Sequence, residues 1–196
     1  MLKVHALTLG AYQTNCYIIH DEKSTSCCVI DPGYEADTIL DKLSELGLSL
    51  EAILLTHGHF DHVGAVRQLA ADTDCAVYLC AEDLTMPTRL TAGTLYYTQT
   101  YAEGTLLHLA GLDISVLHTP GHTPGSVCLL IGDTLFSGDT LFAGSCGRTD
   151  LPGGSWTQMQ SSLKRLSQIE ANLWVLPGHG ESTMLASEQK YNPYLH

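Results

Sequence analysis

Apolar side chains alternate or run together over residues 2–9, 15–20 and 26–31, and these stretches read as three short strands joined by turns. The third closes on Asp31-Pro32-Gly33, a turn signature. Over 35–47 the spacing becomes helical: Ile39, Leu40, Leu43 and Leu46 share a face, and Gly47 supplies the stop. Residues 51–55 form a strand whose run Ala52, Ile53, Leu54, Leu55 is apolar throughout, as in a strand buried on both faces. Val63, Val66, Leu69 and Ala70 then predict a helix over 62–71, with Asp61 placed to cap its start. A strand follows at 75–79. Residues 81–104 are weakly patterned, carry Tyr96, Tyr97 and Tyr101, and read as either a lid or surface packing. Further strands are predicted at 105–109, 112–118, 126–131 and 133–137, a Gly-rich loop at 143–154, and a helix at 155–169 through Met159, Leu163 and Leu166. A last buried strand at 173–176 precedes a short helical tail. Strands with helices spread through both halves predict an α/β chain, two packed sheets covered outside by helices. No low-complexity linker divides residues 1–196, so one domain is expected.

Composition narrows the class. The chain is 44% hydrophobic and only 15% charged, which is globular rather than disordered. No apolar stretch approaches the roughly eighteen residues a membrane helix needs. The chain starts directly on strand-like alternation, without a basic-then-apolar leader, so a cytoplasmic protein is expected. Seven scattered cysteines, an odd number, make no disulfide framework and read as buried thiols of a reducing compartment. The net charge is −12, and nine Lys plus Arg without a cluster cannot build a phosphate-neutralising face, so no nucleic-acid partner is expected.

The chemistry concentrates at Thr56-His-Gly-His-Phe-Asp-His62. His57, His59, Asp61 and His62 fall within six positions, in a strand-to-helix turn where side chains can converge above a sheet edge. Imidazole suits zinc and iron, a carboxylate beside it suits a hydrolytic divalent ion, and no local Cys pair suggests a structural zinc knuckle. Incidental spacing explains one histidine well and four ligands in one turn poorly. The arrangement then repeats. The run 114–117 leads through Pro120-Gly121 to His122, and the run 173–176 leads through Pro177-Gly178 to His179. Between them, Leu135-Phe-Ser-Gly138 leads to Asp139. Ligands at equivalent ends of adjacent strands can share one cleft. Seven candidates result: His57, His59, Asp61, His62, His122, Asp139 and His179.

These motifs, with Val29-Ile-Asp-Pro-Gly33, Thr119-Pro-Gly-His122-Thr-Pro-Gly-Ser126, Phe136-Ser-Gly-Asp139 and Pro177-Gly-His-Gly180, resemble the metallo-β-lactamase superfamily along essentially the whole chain. The match is close to its glyoxalase II-like branch, the hydroxyacylglutathione hydrolases and their short single-domain relatives. The resemblance implies a four-layer αβ/βα sandwich with the site where both sheets end. It implies one ion on His57, His59 and His122, another on Asp61, His62 and His179, and Asp139 bridging them. Zn2+ is the expected metal, with iron and manganese as alternatives. Asp31 would support the site, its other reading being a cap of the turn at Pro32-Gly33. His5, His20, His108, His118 and His196 match no ligand position, and His118 reads as structural.

The implied reaction is hydrolysis of a small acyl thioester, S-lactoylglutathione or a relative, by a hydroxide shared between the two ions and oriented by Asp61. No general acid stands out in the sequence, which favours a leaving group that departs as a thiolate. The loop Gly144-Ser-Cys-Gly-Arg-Thr-Asp150 resembles that of short glyoxalase II-like proteins and of persulfide dioxygenases. Arg148 would grip a substrate carboxylate or pair with Asp150, and Cys146 reads as structural. By the same resemblance, no counterpart is expected of the C-terminal helical domain that provides much of the glutathione-binding surface in full-length glyoxalase II, so another thiol carrier is open. Two other classes stay open: an Fe(II) persulfide dioxygenase using His57, His122 and Asp139, and a metal-binding protein without turnover. The sequence carries no indication of oligomeric state.

Overall fold

The computed structural model describes residues 1–196 and contains two six-stranded mixed sheets packed face to face. The first holds β1 (Leu2–Leu9), β2 (Thr14–Asp21), β3 (Ser26–Ile30), β4 (Ser49–Leu54), β5 (Ala76–Cys80) and β6 (Gln99–Tyr101), side by side in chain order. β1, β2 and β3 pair antiparallel, whereas β3 to β6 run parallel, each crossover passing outside the sheet. The second sheet contains β7 (Leu106–Leu109), β8 (Leu112–His118), β9 (Val127–Ile131) and β10 (Thr134–Gly138). A small hairpin, β11 (Leu141–Phe142) and β12 (Ser145–Cys146), follows. β13 (Trp174–Pro177) pairs parallel with β10, and β14 (Thr183–Met184) closes the edge, giving the order β14-β13-β10-β9-β8-β7.

The period of two in a strand sorts side chains between two interfaces. Tyr17, Ile19, Cys28, Ile30 and Leu54 of the first sheet meet Ile114, Val116, Leu129, Phe136 and Leu176 of the second. Their neighbours point outward. Cys16, Ile18, Val29 and Ile53 pack under Ile39 and Leu43 of α1 (Ala36–Leu46), and under Val66 and Leu69 of the helix after the ligand turn. On the far side, Cys128, Leu135 and Val175 pack under Met159, Leu163 and Leu166 of α4 (Trp156–Ser167) and Leu185 of α5 (Leu185–Tyr191). The strands are therefore apolar on both faces, and the molecule is an αβ/βα sandwich. Ser155 caps α4 by accepting the Gln158 amide, and Gly47 ends α1 in a left-handed conformation.

Three expectations need correction. The helix expected over 62–71 is two, α2 (Phe60–Val63) and α3 (Val66–Thr73). The break has a cause: the Ala65 amide donates to the Pro32 carbonyl, and a Cβ on Gly64 would lie 2.2 Å from the Gly33 oxygen. Asp61 does not cap this helix; it lies inside the first turn of α2 and faces the cleft, His59 being the N-cap. Residues 81–104 contain two 3₁₀ turns and the edge strand β6; Asp83, Met86, Thr91 and Tyr101 anchor the segment, the Tyr101 hydroxyl donating to the Leu55 carbonyl, while most of its other residues are exposed and Leu90 lines the cleft. The loop 143–154 holds half of the β11–β12 hairpin, a pairing too short to leave a periodic pattern. No helix is long and apolar enough to cross a membrane.

Candidate metal centre

All seven expected side chains gather at one end of the sandwich. His57, His59, Asp61 and His62 come from the segment after β4, His122 from the turn after β8, Asp139 from the end of β10, and His179 from the turn after β13. Backbone hydrogen bonds tie these tips together. Val127 donates to the Thr56 carbonyl at 2.9 Å, Gly178 to Gly138 at 2.9 Å, and Asn15 to Gly178 at 2.8 Å. The Asn15 side-chain amide reaches the carbonyls of Pro177 and Gly180, and the Tyr17 hydroxyl also reaches Pro177. β2 therefore fixes the His179 turn from the opposite sheet, a role that no local spacing in the sequence announces.

Three groups have donor atoms within 4.8 Å of one another: the triads His57, His59 and His122, and Asp61, His62 and His179, and the set Asp31, His57 and His62, in which Asp31 meets His62 from behind. His59 Nδ1 lies 2.8 Å from His122 Nε2, and His62 Nε2 lies 3.2 Å from His179 Nε2. Asp61 Oδ2 stands 3.3 Å from His179 Nε2. Asp139 faces both triads, with Oδ2 at 3.4 Å from His122 Nε2 and Oδ1 at 3.5 Å from His62 Nε2. Tetrahedral bonds of about 2.0–2.1 Å place ligand atoms about 3.3 Å apart, close to these separations.

The rings are held from behind. His122 Nδ1 donates to the Arg148 carbonyl at 2.8 Å and His179 Nδ1 to the Tyr12 carbonyl at 3.1 Å. A carbonyl offers no proton, so each ring carries its hydrogen there, and Nε2 presents a lone pair to the centre when neutral. His62 Nδ1 meets Asp31 Oδ2 at 2.9 Å, and His57 Nδ1 meets the Thr56 hydroxyl at 3.1 Å. Asp31 also accepts the Thr56 amide at 2.7 Å and hydroxyl at 2.5 Å, so it supports the site rather than capping its own turn.

The donor set fits divalent cations. His57 Nε2 and Asp139 Oδ1 are buried side-chain atoms without a hydrogen-bond partner, which a protein interior otherwise avoids. Burial pushes His57 well below the ordinary imidazole range, and burial together with His122 brings His59 down to about 4, so both rings are neutral. Burial raises the Asp61 carboxyl, but the His179 hydrogen bond and the neighbouring imidazoles outweigh it and hold Asp61 at about 2. Burial also opposes a charge on His62, yet Asp139 and Asp31 raise it to about 9. A cation placed among these carboxylates competes for the same attraction.

The centre opens into a cleft of about 460 Å³ lined by Tyr12, Phe60, Leu90, Phe142, Arg148 and Leu151 among others. Arg148 lies on this wall, its guanidinium paired through two hydrogen bonds with Asp150 at 2.7 and 2.8 Å. The half-buried Cys146 packs against the core under the second sheet, as a structural residue would, and lines the cleft too. With Tyr12 it adds two proton-bearing groups where the sequence offered none. The remaining six cysteines are buried and free. His118 is structural, its Nε2 donating to the Pro124 carbonyl within the turn that carries His122. His5 stacks on His20, and His108 meets Asp113, away from the centre.

Comparison with known proteins agrees with this geometry. Residues 9–179 match the Metallo-beta-lactamase superfamily. The chain is 32% identical to hydroxyacylglutathione hydrolase GloC of Haemophilus influenzae, over 99% of this chain and 98% of that protein. The BLEG-1 B3 metallo-beta-lactamase superposes with a TM-score of 0.89 at 34% identity, covering 100% of this chain and 99% of the other. TTHA1623, solved in a di-iron-bound form, superposes at 0.88 with 39% identity over 98% and 100%. ETHE1 from Myxococcus xanthus superposes at 0.86 with 30% identity over 97% and 83%. The chain belongs to the metallo-beta-lactamase superfamily.

Proposed function

We propose that this protein is a dinuclear metal hydrolase that cleaves a small acyl thioester, with Zn2+ as its metal. One observation carries the reading: two complete donor triads meet across Asp139, which faces both. When bound, two divalent ions supply an acidified water as nucleophile and positive charge for a developing oxyanion. The protein does the rest. Neutral His57 and His59 and the ionised Asp61 offer donors without a proton to displace. Asp61 orients the attacking water through its carboxylate. Phe60, Leu90, Phe142 and Leu151 shield the reacting carbonyl from bulk water, and Arg148 at the cleft wall receives an anionic end of the substrate in exchange for Asp150. A thiol with a free pKa near 8.5 leaves as thiolate and needs no acid, which favours a thioester over an amide. The likeness to GloC supports the same class.

Elemental analysis of protein purified without added metal, joined to a thioester panel read by free-thiol release, tests this. Two ions per chain and thiol release are expected. A fully metallated protein that releases no thiol overturns it. A second reading, a persulfide dioxygenase with one Fe(II) on His57, His122 and Asp139, draws support from the likeness to ETHE1 and from the 3.4 Å approach of His122 to Asp139. Oxygen consumption with glutathione persulfide in the iron-loaded protein separates the two.

A further inference from the structure

Asp83 lies outside the seven-residue set and does not line the cleft, yet it is fully buried. It sits in the 3₁₀ turn Ala81–Thr85 that follows β5. Its Oδ2 accepts the Gly58 amide at 2.7 Å and the Thr123 hydroxyl at 3.0 Å, and its Oδ1 accepts the Gly125 amide at 2.6 Å. Gly58 separates His57 from His59, and Thr123 follows His122. One carboxylate thus clamps the turn above β4 in the first sheet to the turn after β8 in the second. Those two turns carry all three imidazoles of the first triad.

The surroundings are built to the carboxylate. A Cβ on Gly125 would lie 2.8 Å from Asp83 Oδ1, and one on Gly58 would lie 2.9 Å from Leu95 Cδ1 and 3.4 Å from Asp83 Oδ2. The Thr123 amide donates to Ser126 Oγ at 3.0 Å, and the Ser126 hydroxyl then donates to Thr123 Oγ1 at 2.8 Å, leaving the Thr123 proton for Asp83. No Lys or Arg pairs with Asp83; three donors from the two turns hold it instead. A buried carboxylate is an expensive way to join two loops, since burial penalises the charge. It also puts three charge-assisted bonds directly behind the metal-facing rings.

We propose that Asp83 is a positioning residue, which sets the separation and aim of His57 and His59 relative to His122. The proposal rests on the two-metal reading in one respect, that the first triad holds an ion. The experiment uses cobalt(II) alone, titrated into chelator-stripped full-length protein and followed by its ligand-field absorption. His179→Ala isolates the first triad and His59→Ala isolates the second. In the His179→Ala background, adding Asp83→Asn should weaken cobalt binding about 10–100-fold and shift the spectrum, with far-ultraviolet dichroism unchanged. In the His59→Ala background the same substitution should leave affinity unchanged. Unaltered affinity and spectrum at the first triad, with only a lower melting temperature, would make Asp83 a structural brace and overturn the proposal. Should Asp83→Asn not fold, Thr123→Val removes one of the three bonds at nearly constant shape and should shift the same spectrum in the same direction; no shift overturns it equally. Failure of the parent His179→Ala protein to bind cobalt would instead bring down the two-metal reading, and this inference with it.

Discussion

Gly178 and Asp139 stand so close that a methyl group on the glycine would lie 2.3 Å from Asp139 Oδ1 and 2.7 Å from His62 Cε1. The glycine is therefore required by space, in front of the carboxylate that faces both triads. Gly178→Ala should push Asp139 or His62 aside and lower metal content and turnover by at least about tenfold, as disturbance of metal-orienting groups does. Plasma emission of the purified variant checks it, and wild-type metal content would refute it.

The two triads predict separable losses. His59→Ala and His179→Ala should each lower bound metal by about one ion per chain, because each removes a donor from a different set. Each should lower thiol release from a thioester by about a hundredfold or more, the scale expected when a group acting on the transition state is lost. Unaffected rates in both would count against a site that needs two ions.

Asp31 joins stability to the site. Its carboxylate satisfies the Thr56 amide and hydroxyl and His62 Nδ1, all buried. Asp31→Ala strands these groups and should destabilise the fold by about 3 kcal/mol or more, measured by urea unfolding. It also places alanine at φ 50°, a left-handed conformation that Asp and Asn tolerate better. Asp31→Asn should therefore be milder in stability and still weaken the second triad, because Oδ2 alone serves both the Thr56 hydroxyl and His62.

Much of this was legible in the chain because the information is local. Ile53, Leu54 and Leu55 before His57, and Pro177-Gly178 before His179, announce a buried strand and a turn within a few residues. The long helices are legible for the same reason, Ile39 and Leu43 lying one turn apart. What escaped is carried by contacts across the sandwich. Asn15 meets Pro177 across 162 residues, Asp83 meets Thr123 across 40, and neither neighbourhood has a distinctive spacing. The split of α2 from α3 escaped because the Ala65 amide donates to the Pro32 carbonyl, remote in sequence, instead of continuing the helix. β6 and β14 are two or three residues long, below the reach of any periodicity.

Glu103 and Arg165 give a pH-dependent contribution far from the centre. The Arg165 guanidinium holds the Glu103 carboxyl below its usual range, and Glu103 also accepts the His118 amide. A depressed folded-state value means that the stabilisation is complete above the unfolded pKa of about 4.3 and disappears as the pH falls through the folded value. Both side chains are substantially exposed, at 42% and 51%, so the effect should stay below about 1 kcal/mol. Glu103→Gln should match wild type in stability near pH 3 and fall slightly below it at pH 7, by chemical denaturation; an equal loss at both values would assign the effect to packing.

Removing metal should destabilise the whole molecule. The seven donors come from four segments, after β4, β8, β10 and β13, so ions held between them join both sheets and bind the folded chain far better than the unfolded one. Binding only to the folded state adds about 2.7 kcal/mol at a free concentration one hundred times the dissociation constant. For a chain of this size each kcal/mol moves the melting temperature by about 2–4 °C. Chelator-stripped protein should therefore melt about 5–10 °C below the zinc-reconstituted form, and Asp139→Ala, lacking the carboxylate common to both triads, should show a much smaller gap. The comparison separates a load-carrying metal centre from one that merely decorates a finished fold. Equal melting temperatures with and without zinc, in a protein that demonstrably binds it, would mean that the donors are held by the sandwich alone.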